Sequence, residues 1–260
     1  RVLVTTEASE ANDDSLLVNR ISARLARRNL QKARELLGAL QDQEKRGRVI
    51  VNGPTCLRLG HDKLAQADLF HEAGTRTPET QPAVPGERAL PGLPVLLKPP
   101  AGGYGKGIRR LGPEESAPED LFGRTDGWVE QAFHQAADNA VHRVEFLGQR
   151  ILYDARFPLK ATTFDYCLAC GSQEIHLLRE SEMDPVIIEA AKRIARLGGL
   201  ELGSIEYLLA KDGQPVFIDF NPVSSLHPDA TEILREDPLE QTAAYLIQRA
   251  SGAVHKASPV

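Results

Sequence analysis

Leu93-Pro-Val-Leu-Leu-Lys98-Pro-Pro-Ala-Gly102-Gly103-Tyr-Gly105-Lys106-Gly107-Ile108 is the stretch on which the reading of this 260-residue chain turns. Residues 95–98 are a short apolar run ending in a lysine, and Pro99 and Pro100 forbid its continuation as a central strand. Gly102, Gly103, Gly105 and Gly107 crowd behind them, and residues 108–111 read as strand again. Glycines let backbone N–H groups turn towards an anion with no side chain in the way, and Lys98 and Lys106 add positive charge. Such a hairpin suits a polyphosphate. The same composition also serves in plain mobile hairpins. It departs from both common nucleotide patterns, since Gly107 rather than Ser or Thr follows Lys106 and a strand rather than a helix follows the glycines.

Composition narrows the classes. Hydrophobic residues at 42% and charged residues at 26% are globular values, with length enough for one large domain or two modest ones. A net charge of -5, with no basic stripe interleaved with aromatics, argues against a nucleic-acid partner. No apolar run approaches the ~18 residues of a membrane span, so no membrane partner is expected. Three cysteines cannot all pair, which points to a reducing, cytoplasmic location. The chain opens on Arg1 rather than Met, which leaves room for upstream sequence.

Periodicity predicts a strand at residues 1–5, a helix over 25–40 and a strand at 49–51 ending at the Asn52-Gly-Pro54 turn. Asp62 is expected to cap a helix carrying Leu64, Ala67, Phe70 and Ala73, ending at Gly74. A proline-rich connector, 75–92, leads to the glycine hairpin. Strands follow at 128–132, 141–147, 151–157 and 174–178, and Asp184-Pro185 opens a helix closed by Gly198-Gly199. Strands at 204–210 and 216–220 flank Asp212-Gly213, and Asp237-Pro238 opens a last helix. Helices mixed with antiparallel hairpins make the class α+β.

The second informative stretch is that late hairpin. Read as a two-residue type I′ turn, Asp212-Gly213 sets Lys211 opposite Gln214, Leu209 opposite Val216 and Glu206 opposite Asp219. Asn221 shares the face of Asp219, because residues two apart on a strand point the same way. Opposed carboxylates repel unless something positive lies between them. Oxygen donors suit a hard cation, and Mg²⁺ is commonly held by one or two carboxylates together with substrate phosphates. The plainer alternative is a solvated face, or an arginine partner for one carboxylate.

Together the two hairpins resemble the ATP-grasp superfamily, from about residue 49 to the last helix. The shared pieces are Asn52-Gly-Pro54, His61-Asp-Lys63, residues 74–80, the Lys98 strand with its loop, Trp128-Val-Glu130-Gln131, Arg143 with Gly148, and Glu206 with Asp219-Phe-Asn221-Pro222. The nearest subgroup looks like the carboxylate–amine ligases, such as the enzyme adding glutamate to a ribosomal protein and D-alanine–D-alanine ligase. The resemblance implies an ATP-grasp fold, two α+β subdomains clamping ATP behind a short N-terminal α/β segment. The corresponding divisions are 1–60, a lid subdomain 61–131 and a large subdomain 132–260.

The resemblance also implies roles. Lys63 and Lys98 match lysines on the ATP phosphates, and the loop through Gly102, Gly103, Gly105, Lys106 and Gly107 covers them. Glu130, Gln131 and Ala132 match the hinge whose backbone bonds adenine, and Glu206, Asp219 and Asn221 match the Mg²⁺ ligands. Arg143 and Arg156 sit where arginines approach the transferred phosphate or the activated carboxylate. The usual acidic ribose ligand is replaced by Val141, leaving Asp138 as a displaced candidate. Relative to the family's pattern Glu and Asp are exchanged in the metal hairpin, and Asn221-Pro-Val-Ser-Ser225 replaces a glycine-containing acceptor segment. Partners implied are ATP with small carboxylate and amine substrates, an amino acid or peptide among them, and a homo-oligomer is compatible with all of this.

Two functions fit: an ADP-forming ligase, and an ATP-binding module that regulates or scaffolds without turnover. Cys167-Leu-Ala-Cys170 lacks a second pair, so zinc or redox chemistry there is set aside. His227 reads as a packing or substrate-rim residue, and Asp184 as a helix cap.

Overall fold

A computed structural model describes residues 16–23, 29–99, 107–119, 127–159, 176–223, 226–227 and 229–256. The strand expected at residues 1–5, the loop residues Gly102, Gly103, Gly105 and Lys106, and the Cys167/Cys170 pair lie outside them. In chain order the elements are β1 (Leu17–Val18), α1 (Leu30–Lys45), β2 (Ile50–Val51), α2 (Pro54–His61), α3 (Lys63–Glu72), β3 (Thr80–Pro82), β4 (Val95–Lys98) and β5 (Arg109–Leu111). They continue with β6 (Val129–Ala132), β7 (Ala140–Leu147), β8 (Arg150–Pro158), β9 (His176–Leu178), α4 (Pro185–Gly198), β10 (Leu202–Leu209), β11 (Pro215–Asn221), α5 (Ala230–Leu234) and α6 (Pro238–Lys256). The class is α+β, as expected. Among the described residues no helix is long and apolar enough to cross a membrane.

The larger sheet has five strands in the order β11-β10-β7-β8-β9, all paired antiparallel. One face is covered by α2, α3 and α4. Asp184 caps α4 by accepting from Val186 N at 2.8 Å, Pro185 fills its first turn, and Gly199 ends it at φ 66°. The helix buries Ile187, Ala190, Ala191, Ile194 and Ala195 against Val144, Ile205, Phe217 and Phe220. Leu59 of α2 and Leu69 and Phe70 of α3 enter the same core. So α3, expected with the lid segment 61–131, shares its core with the large sheet.

The smaller sheet has the order β3-β6-β4-β5 and buries Leu90, Val95, Leu97, Leu111 and Ala117. Four elements go beyond the sequence reading, the short β1 and α5 among them. Pro54 is not the end of a turn but the first residue of α2, a position where its missing N–H needs no partner. A short strand, β3, lies within the proline-rich connector.

The late hairpin departs from its expected register in an instructive way. Its turn is closed by Ala210 N donating to Gln214 O at 2.9 Å and Gly213 N donating to Ala210 O at 2.8 Å. Residues 211–213 thus form a three-residue loop with Gly213 at φ 77°, not the two-residue turn, and Leu209 pairs with Pro215 rather than Val216. An irregularity between Glu206 and Tyr207 absorbs the slip, with Ile218 as the extra residue, and Glu206 still faces Asp219.

The helix-covered face also carries a buried polar cluster. His142 stacks on Tyr207 at 4.8 Å, with Nδ1 3.3 Å from Asp154 and Nε2 3.0 Å from Asp138. Burial opposes charging this imidazole, but Asp154 and then Asp138 outweigh it, and its pKa is raised. A raised value stabilises the fold fully below the unfolded pKa of about 6.5, and the contribution is lost as pH rises through the folded value. The melting-temperature gap between wild type and His142→Asn should therefore be widest near pH ~6 and shrink towards pH ~9. A gap independent of pH would show that this histidine stays neutral.

Candidate active site

The opposite face of the large sheet, itself largely buried, is charged where β7, β10 and β11 meet. Strand parity puts Arg143 opposite Glu206, Glu206 opposite Asp219, and Ser204 opposite Asn221. Glu206 Oε1 accepts from Asn221 Nδ2 at 3.1 Å and from Arg143 Nη1 at 3.4 Å. Arg143 Nε donates to Glu145 at 2.7 Å. Burial and the Asp219 charge raise the Glu206 pKa to about 7, against Arg143, Lys63 and Lys98.

Lys63 arrives from the helix layer. Asp62 caps α3 by accepting from Ala65 N at 3.0 Å, so the next side chain, Lys63, leaves from the helix start. Its Nζ forms an ion pair with Asp219 and donates to Gln66 Oε1 at 3.1 Å. Lys98 arrives from the smaller sheet, as the last residue of β4. It is buried, and among the described residues it makes no hydrogen bond or ion pair. Burial, and next the charge of Lys63, lower its pKa to about 8, against the pull of Asp219 and Glu206. Two cations thus approach the carboxylate pair from separate elements.

The donor set fits the cation that the resemblance implies. Glu206 and Asp219 offer hard oxygens, and Asn221 spends its Nδ2 on Glu206, leaving its amide oxygen without a hydrogen bond among the described residues. Among those residues no cluster of three or more His, Cys, Asp or Glu side chains is placed to share a metal. With two carboxylates, a cation here would take its remaining ligands from phosphate oxygens and water, the usual habit of Mg²⁺.

Other sequence candidates are placed elsewhere. Arg156 pairs with His142, so it lies on the helix-covered face, opposite to Arg143. It bonds Asp138 through Nε at 3.0 Å and Nη2 at 2.8 Å, which ties both residues to the His142 cluster. Glu130, Gln131 and Ala132 lie in β6, the strand between β3 and β4, with ladders on both sides. The Glu130 carboxylate is fully buried beside the smaller sheet and accepts from Ala89 N and Leu90 N, each at 3.1 Å. Gln131 bonds Thr80 at 3.0 Å, and Ala132 N donates to Glu79 O at 2.8 Å. Gly107 adopts φ 83° just before β5. His227 is buried beyond the hairpin, its backbone N donating to Tyr153 Oη at 2.9 Å.

Two members of the site escaped the sequence reading. Glu145 stands two residues after Arg143 on the same strand face, and Gln66 three residues after Lys63 on the same helix side. Those spacings were the available signals.

The two lysines should separate in a stability assay. Lys63→Met breaks an ion pair and should cost about 1–3 kcal/mol in nucleotide-free melts. Lys98→Met removes a buried charge without a partner among the described residues, so the melting temperature should hold or rise. Equal losses in both variants would contradict this difference in pairing.

No protein-family model matches the chain. The curated protein methylcrotonoyl-CoA carboxylase subunit alpha, mitochondrial, of Dictyostelium discoideum is 24% identical over 235 residues, 76% of this chain. The match covers 31% of that protein, so the chain spans about a third of its length. Among solved structures, D-cycloserine synthetase DcsG superposes with TM-score 0.67 at 17% identity, covering 94% of this chain and 88% of that one. ATP-grasp ligase PsnB, complexed with precursor peptide PsnA2 and AMPPNP, gives 0.60 at 16% identity, covering 91% and 78%. L-amino acid ligase from Bacillus licheniformis gives 0.55 at 15% identity, covering 78% and 50%. Likeness over this much of the chain shows that it has the ATP-grasp fold.

Proposed function

We propose that the protein is an ATP-dependent, ADP-forming ligase that joins a carboxylate to an amine. The observation that carries this is the convergence of Lys63 and Lys98 on the opposed pair Glu206 and Asp219, with Arg143 alongside. A purely structural role would more simply be met by apolar residues, because buried ion pairs rarely stabilise more than their hydrophobic replacements.

In the proposed reaction a carboxylate oxygen attacks the γ-phosphorus of ATP and ADP leaves, forming an acyl phosphate. An amine nitrogen then attacks the acyl carbon, phosphate leaves, and the nitrogen gives up a proton to yield the amide. Lys98 and Lys63 hold phosphate oxygens and neutralise charge developing on the transferred group, which is where phosphoryl-transfer catalysis arises. Arg143, tied down by Glu145 and Glu206, keeps a fixed positive charge beside that path. Glu206, Asp219 and Asn221 would hold Mg²⁺. When bound, that ion supplies further charge to the phosphates. PsnB and the L-amino acid ligase favour an amino acid or peptide as the substrate class. Arg156, on the other face, is left outside this chemistry.

Asp219→Asn keeps shape while removing one carboxylate charge. It should lower metal-dependent ATP turnover by roughly 10²–10³, the scale of losing one contact at developing charge. The assay is phosphate release and product mass with ATP, Mg²⁺ and an amino-acid library. Wild-type turnover in a folded Asp219→Asn would remove the carboxylates from the reaction.

A further inference from the structure

Strand β11 carries Asp219 and Asn221, yet it lies at the edge of the five-stranded sheet. An edge strand presents a row of backbone groups with no neighbouring strand to fix them. Here Phe220 and Pro222, which flank Asn221, turn such groups outward, and each is met by a buried side-chain amide. Gln66 Nε2 donates to Phe220 O at 3.2 Å, and its Oε1 accepts from Phe220 N at 3.3 Å. The same amide donates to Leu59 O at 2.6 Å and accepts from Lys63 Nζ at 3.1 Å. Asn52 Nδ2 donates to Pro222 O at 2.7 Å and to Leu202 O at 2.5 Å. Its Oδ1 accepts from Glu201 N at 2.9 Å and Leu202 N at 3.0 Å.

From this we infer that Gln66 and Asn52 are positioning residues, which fix the edge strand so that Asp219 and Asn221 address one point. Both amides are used to capacity, two donors and two acceptors each, so neither can rotate without losing bonds on every side. Asn52 reads both ends of the hairpin, Leu202 at the start of β10 and Pro222 just after β11. It sits at φ 57°, a left-handed conformation that asparagine tolerates better than most residues. Close approaches set the same segment from other directions. A Cβ on Gly60 would lie 2.5 Å from Pro222 Cγ, and one on Gly203 would lie 2.2 Å from Asn221 O. A sixth strand would pair along the whole edge; these amides bond only at the two residues on either side of Asn221. Gln66 also joins the strand to Lys63, so the lysine and the carboxylate it pairs with share one support.

The inference rests on the ligase reading for the identity of what Asp219 and Asn221 hold. Its test uses Asn52→Gly, which keeps the left-handed backbone accessible, and Gln66→Met, which keeps length and burial. Binding of AMPPNP is measured by calorimetry over a series of Mg²⁺ concentrations, beside thermal melts. Each variant should stay folded and need about tenfold more Mg²⁺ for half-maximal binding, while in Asn52→Gly, which does not touch Lys63, metal-free nucleotide affinity changes less than about twofold. Unchanged Mg²⁺ dependence in the folded variants overturns the positioning role and leaves the ligase reading standing. Wild-type binding that ignores Mg²⁺ overturns the ligase reading and this inference with it. If one variant fails to fold the other decides; if both fail, the amides hold the fold rather than the site, and the inference is overturned.

Discussion

Two carboxylates facing each other across adjacent strands repel, and the surroundings of Glu206 and Asp219 answer that repulsion. Asp219 takes Lys63 from the start of α3, and Glu206 takes Arg143 from β7 and the amide of Asn221. Lys98 adds charge from the smaller sheet. Burial, and next the charge of Asp219, still raise the Glu206 pKa to about 7. A centre so arranged holds both signs of charge close together under partial burial, which costs stability and is repaid only by a ligand that uses them.

The fold makes this arrangement possible by separating the two faces of the large sheet along β11. Phe217 and Phe220 face the helices with Val144 and Ile205, while Asp219 and Asn221 on the same strand face away. Asp62 and Gln66 of the helix layer then place Lys63 at the edge of β11. The smaller sheet contributes through one strand end, since β4 stops at Lys98 with Pro99 following. Small errors in strand register would move a carboxylate to the wrong face, because side chains alternate at every residue.

That alternation explains what the sequence disclosed and what it hid. Glu206 opposite Asp219 was legible from the Asp212-Gly213 turn, but only because two departures cancel: a loop one residue longer than expected and an extra residue at Ile218. Arg156 was grouped with Arg143 by the family resemblance, yet register places it with His142 on the other face. Strand parity across a hairpin depends on bulges that no pattern of hydrophobicity reports. The caps at Asp62 and Asp184 were readable because they are local, one side chain bonding a backbone group two or three residues on. Gln66 and Asn52 were not readable as partners of β11, because they lie 154 and 170 residues from the groups they bond.

The central claim is that charge gathered at Lys63, Lys98, Arg143, Glu206 and Asp219 serves transfer of a phosphoryl group to a carboxylate. Oxygen tracing tests this most directly. With a pool of amino acids carrying heavy oxygen in their carboxylates, the acyl-phosphate route moves one labelled oxygen into each phosphate released, beside ADP. Labelled phosphate in step with amide product is the predicted result. Phosphate free of label, or AMP and pyrophosphate in place of ADP, would contradict it.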